Sequence, residues 1–140
     1  MKSPITLKEF YLGNRDVIYA DQLTPSIREQ AVKTLERANA LLALFYASHP
    51  DTYRRTCNSG WRPPAVNAKT AGAAKLSKHM TGQAIDIADP DGSLDRWCMT
   101  PEGQQALVDI GLWLEHPSST PTWCHVQTVP PGSGRRVFYP

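Results

Sequence analysis

Between Thr24 and Pro50 the apolar residues recur at helical spacing. Ile27, Ala31, Leu35, Ala38, Leu42 and Phe45 share one face, and polar and charged residues take the other. This predicts a helix from about Pro25 to Ser48. Thr24 suits the N-cap, Pro25 the first helical position, where a missing N–H costs nothing, and His49-Pro50-Asp51 the stop. A second helix is expected from Pro101 to about Ile110, capped by Thr100 and stopped by Gly111. Gln83–Ala88 and Trp123–Val129 alternate with period two and are predicted as strands, with Arg54–Gly60 and Arg135–Tyr139 as further candidates. Leu7–Leu12 fits a short helix or an edge piece. Asp89–Gly92 and Pro130–Gly134 are turn signals, Trp61–Pro64 is irregular, 65–78 reads as a surface loop with or without a short helical turn, and Glu115–Thr122 reads as a loop. The order helix, strands, helix, strands predicts an α+β fold: a small antiparallel sheet with helices packed on one side.

Composition bounds this picture without sharpening it. The chain has 140 residues, which fits one domain able to bury roughly two-thirds of its unfolded surface. The net charge of +2, with no Lys/Arg run, gives no electrostatic case for nucleic acid. The longest apolar stretch, Ala40–Ala47, is too short to insert across a membrane. Three cysteines, Cys57, Cys98 and Cys124, include no CxxC and leave at least one thiol unpaired, as expected in a reducing compartment. The first residues carry no apolar run of the secretory type, so the expectation is cytoplasmic synthesis without a signal peptide, as a monomer.

The candidate chemistry lies in four residues. His79 stands seven positions before Asp86, His125 a further 39 on, and Glu115 ten before His125. A hydrolytic zinc site takes three His/Asp/Glu ligands and leaves one position for water. That water needs a carboxylate to take its proton. Asp86 lies between Ile85 and Ile87, where burial is costly unless it is paired or holds a metal. Strand alternation puts Trp123, His125 and Gln127 on one face and Cys124 on the other, as a buried apolar thiol. On spacing alone, Asp86 could equally be a solvent-facing strand residue and Glu115 an exposed loop acid. His116 adjoins Glu115 and is a rival ligand or proton shuttle; Lys78 adjoins His79; His49 is read as a helix-end residue.

Ser77–Asp86, SKHMTGQAID, matches the SxHxxGxAxD motif of the zinc D-Ala-D-Ala carboxypeptidase and L-Ala-D-Glu peptidase family, the M15 peptidases. Ser59-Gly60-Trp61-Arg62-Pro63 resembles the family's SG-aromatic-R segment, and Asn67 and Gly72 stand where its members have such residues. Trp123–Gln127, WCHVQ, resembles its WxH motif, with Glu115 at a suitable distance before it. The blocks run in family order over residues 57–127.

The resemblance implies a hedgehog-like, DD-peptidase-like fold, with a helical scaffold at about 24–48 and a catalytic core at about 55–139. It implies one zinc ion on His79, Asp86 and His125, and Glu115 as general base and then proton donor. Arg62 would bind a substrate carboxylate or polarise the scissile carbonyl. Ser77 would either contact substrate or stabilise a turn, Trp123 would wall the site, and Gln127 would orient a ligand. The implied substrate is the peptidoglycan stem peptide, cut by a carboxypeptidase or by an endolysin-type endopeptidase. Such an enzyme of phage or prophage type would act on the wall after release or as part of a phage particle. The alternative is a catalytically inactive, zinc-stabilised wall-binding or virion structural module.

Overall fold

Thr6 opens the first helix with a reciprocal cap: its hydroxyl accepts the Glu9 amide, and the Glu9 carboxylate accepts the Thr6 amide. In the computed structural model, which describes residues 2–140, this helix is α1 (Leu7–Phe10), so the segment at 7–12 is a short helix running into a turn rather than an edge piece. A short α2 (Arg15–Ile18) and a 3-10 turn (Ala20–Gln22) lead into α3 (Pro25–Ser48). The Thr24 hydroxyl caps α3 by accepting the Ile27 amide at 3.2 Å. The expected face is the buried one, carrying Ala31, Leu35, Ala38, Leu42 and Phe45, with Thr34 and Leu41 added and Ile27 at its margin.

Next come β1 (Cys57–Ser59), a one-turn α4 (Pro64–Asn67), β2 (Ala84–Ala88), α5 (Ser93–Cys98) and α6 (Pro101–Ile110). They are followed by β3 (Trp113–Glu115), a 3-10 turn (Pro117–Ser119), β4 (Trp123–Gln127) and β5 (Val137–Phe138). α6 begins and ends where its caps predict: the Thr100 hydroxyl accepts the Gly103 amide, and Gly111 stops the helix in the left-handed region. α5 is not anticipated by the sequence pattern. Its start is organised by Asp89, whose buried carboxylate accepts the amides of Leu94 and Asp95 and pairs with buried Arg55 at 3.2 Å.

The strand order is β1-β2-β4-β3-β5, antiparallel except for the β3–β5 pair. Glu115 is a correction: the sequence pattern puts it in a loop, and the structure puts it at the end of β3. The strand extends that far because the Leu114 and His116 amides donate to the Arg136 and Phe138 carbonyls of the neighbouring segment. Ile85, Ile87, Leu114, Cys124 and Val126 are fully buried against α3, α5 and α6, so the helices cover one side of the sheet. Asp86, Trp123, His125 and Gln127 alternate with them onto the other side. Among the described residues, no helix is long and apolar enough to cross a membrane.

Two glycines seat the segments that border this open face. Gly82 has φ +73°, and a Cβ there would meet the Ile27 carbonyl of α3 at 2.9 Å. A Cβ on Gly60 would lie 2.2 Å from the Phe10 carbonyl oxygen. Gly60→Ala is therefore expected to cost roughly 2 kcal/mol or more and to lower Tm by several degrees. Gly132, which has open space around it, should tolerate alanine within about 0.5 kcal/mol. Paired thermal melts check this; equal effects at the two positions would refute the packing argument.

Candidate metal centre

The β2–β4 register sets Asp86 directly opposite His125. The β3–β4 register pairs Trp113 with Gln127 and Leu114 with Val126. Extended by one residue, it brings Glu115 level with His125. Three neighbouring strands thus present Asp86, His125 and Glu115 side by side on the open face. His79 reaches them from the turn before β2.

That turn is clamped by the segment after β1. The His79 Nδ1 is 2.8 Å from the Gly60 carbonyl, the Arg62 amide donates to the His79 carbonyl at 3.0 Å, and the Trp61 indole donates to the Met80 carbonyl at 3.0 Å. The Ser77 hydroxyl accepts the His79 amide at 3.2 Å, so this side chain stabilises the turn while also bordering the cleft. The SGWR segment is therefore a cradle for His79 as well as the carrier of Arg62. Its motif is visible in sequence, but the part that holds the imidazole is a backbone carbonyl, which no side-chain pattern reveals.

The geometry assigns each imidazole nitrogen. A carbonyl oxygen only accepts, so His79 Nδ1 carries a hydrogen toward Gly60, and Nε2 faces Asp86 Oδ2 at 3.2 Å. On His125 the roles of the nitrogens are reversed. Its Nε2 lies 3.0 Å from Gln127 Oε1, and Nδ1 faces Asp86 Oδ1 at 2.8 Å. The Gln127 amide cannot be turned round without losing its donation to the Val129 carbonyl at 2.9 Å. Gln127 is thus a buried orienting residue.

Two imidazoles present ring nitrogens to the two oxygens of one carboxylate, and the three ligand atoms lie within 4.8 Å of one another. Neutral rings turned this way would aim lone pairs at a carboxylate, so the arrangement calls for a proton or a cation in between. Two nitrogens and one oxygen, each ring held from behind by a carbonyl-type oxygen, fit a divalent metal.

The electrostatics match. Burial alone would raise the Asp86 pKa, but the hydrogen bonds and charge of His125 and His79 outweigh it and hold the carboxyl well below the usual range. Burial opposes protonation of His125, yet the Asp86 carboxylate raises its pKa. Glu115 is raised chiefly by burial.

These groups line a cleft of about 570 Å³ together with Arg62, Ser77, Lys78 and Trp123. Lys78 is exposed on its rim. His116 does not converge with the ligand atoms: its ring stacks on Tyr139, and its Nδ1 accepts the Ser118 amide. Cys124 points into the core, as alternation predicts, and all three cysteines are free. A groove of similar size, about 550 Å³, lies between Pro4 and α3 and is mostly apolar, without a ligand set. Phe138 is the residue that sequence reasoning missed here: its ring packs edge-on against His125, 6.1 Å between centroids, and it is level with Glu115 across β3–β5.

Two outcomes test the centre. Gln127→Ala should weaken zinc affinity by about 10–100-fold, read by chelator competition, without unfolding the protein. The metal-free protein should behave oppositely to the loaded one with pH. Because folding raises the His125 pKa, its stabilising contribution is complete below about pH 6.5 and fades as pH rises through the folded-state value. Metal binding needs neutral imidazoles and strengthens over the same range. The Tm difference between zinc-loaded and metal-free protein should widen from about pH 6.5 to 8; a constant or shrinking difference would contradict the ligand assignment.

A family model described as Peptidase M15 matches residues 22–109, which include Arg62, Ser77, His79 and Asp86 and stop before Glu115, Trp123 and His125. Comparison with curated proteins and with solved structures gives no match.

Proposed function

This chain belongs to the peptidase M15 family, and from that premise we propose that it is a zinc-dependent peptidase hydrolysing an amide bond in the stem peptide of peptidoglycan. The observation that carries the reading is the convergence of His79 Nε2, Asp86 and His125 Nδ1 on one point of a cleft that Glu115 also lines. Two imidazoles and a carboxylate with room for one further ligand suit zinc. When bound, zinc supplies a Lewis acid that polarises the scissile carbonyl and acidifies a water to a pKa near about 7.

The remaining roles fall to the chain's own groups. The Glu115 carboxylate takes the proton of the attacking water and delivers it to the leaving amine. Burial raises its pKa, which brings its basicity closer to that task. Arg62 faces the cleft and has only neutral side-chain partners among the described residues, so its planar fork is available for a substrate carboxylate or the scissile carbonyl. Trp123 forms an aromatic wall beside His125. A carboxypeptidase and an endolysin-type endopeptidase use the same machinery and differ in the product ends they leave.

Digestion of purified peptidoglycan followed by mass spectrometry should show zinc-dependent release of peptide, with the new termini identifying the bond. Glu115→Gln should retain zinc and lose about 10²–10⁴-fold in kcat. Since the raised pKa leaves the base protonated to a higher pH than an ordinary glutamate, kcat should fall with acidification from above about pH 4.3. A wild-type protein that binds zinc but releases no peptide, at any pH, would refute the enzyme reading.

A further inference from the structure

Asn67, the last residue of α4, is buried, and its side-chain amide is used in both directions. Oδ1 accepts from Arg62 Nη1 at 3.2 Å, and Nδ2 donates to the Ala74 carbonyl at 2.9 Å. Ala74 lies in the run 70–78, which forms one lip of the cleft. The lip's other hydrogen bonds include short turns of its own, such as Ala73 to Thr70 and Ser77 to Ala74. Arg62 is held by Asn67 and, at 3.5 Å, by the Ser59 hydroxyl. Neutral acceptors orient a guanidinium without neutralising it, which leaves its charge for a ligand.

We propose that Asn67 is a positioning residue for substrate binding: one buried amide aims the Arg62 guanidinium and pins the lip, so that gripping a substrate carboxylate and ordering the lip are coupled. The proposal rests on Arg62 being the contact for that carboxylate. An alanine at 67 removes both hydrogen bonds. An aspartate keeps the acceptor for Arg62 and, when ionised, loses the donor to Ala74, so it separates the two halves of the device.

Two readouts need no turnover. Hydrogen exchange reports the lip at residues 70–78, and the rate of phenylglyoxal modification at Arg62, followed by peptide mass, reports the guanidinium. Asn67→Ala should speed both by several-fold. Asn67→Asp should speed exchange at the lip while Arg62 stays slow to react, and it carries the test if the alanine variant fails to fold. An unchanged lip in Asn67→Asp, or loss of Arg62 protection in that variant, overturns the proposal.

With a synthetic stem pentapeptide, Asn67→Ala should raise KM about tenfold with kcat little changed. In an Arg62→Ala background it should add much less than tenfold, because only its hold on the lip is left to lose. Independent, multiplying effects would mean that Asn67 does not act through Arg62. A chain that cleaves no wall peptide would refute the proposed function alone, because exchange and modification decide the coupling without catalysis.

Discussion

A carboxylate placed between two imidazoles is the constraint around which this molecule is arranged. Asp86 is largely removed from water and offers one oxygen to each histidine. Such a group is stable only when positive charge sits between carboxylate and rings. In the metal-free chain the shifts follow from this need: the imidazoles hold Asp86 acidic, and the Asp86 carboxylate holds His125 basic. A divalent ion answers the same need in a single particle. Burial, pKa values and ring orientations therefore share one cause.

The fold supplies rigidity from behind. β2 and β4 fix Asp86 and His125 by backbone pairing, and the apolar alternates on those strands are locked into the helix-covered core. His79 comes from a turn, and a turn alone would hold an imidazole loosely. The Gly60 carbonyl, the Arg62 amide and the Trp61 indole remove that freedom. Gly60 can lie this close to α1 only because it lacks a side chain. Placement of Glu115 depends on yet another edge, where β5 extends β3 far enough to make it a strand residue.

What could be read from the sequence was what has local causes. The two long helices were legible because a Thr-Pro pair opens each, an apolar stripe runs along each, and His49 or Gly111 closes it. The grouping of His79, Asp86 and His125 was legible through motif blocks, since spacing alone left it among several possibilities. The rest depends on contacts between distant residues. α5 takes its cap from Asp89, a residue engaged with Arg55 34 positions earlier. Glu115 looks like a loop acid because Pro117 and two serines follow it, and only the partner strand near residue 138 shows otherwise. The oxygen behind His79 belongs to the backbone, and the amide behind His125 gains its meaning only once Val129 fixes its direction.

The β2–β4 register has a consequence for folding as well as for chemistry. Asp86 and His125 alternate with Ile85, Ile87, Cys124 and Val126, which are fully buried. If β2 were rotated by one residue relative to the sheet, its carboxylate would enter the apolar layer and its isoleucines would face the cleft. The same slip in β4 would bury an imidazole and expose a thiol. Wrong pairings are thus penalised by the very groups that converge on the cleft. The polar face acts as a key for strand alignment, so the residues that form the candidate site also help single out one topology from its near neighbours.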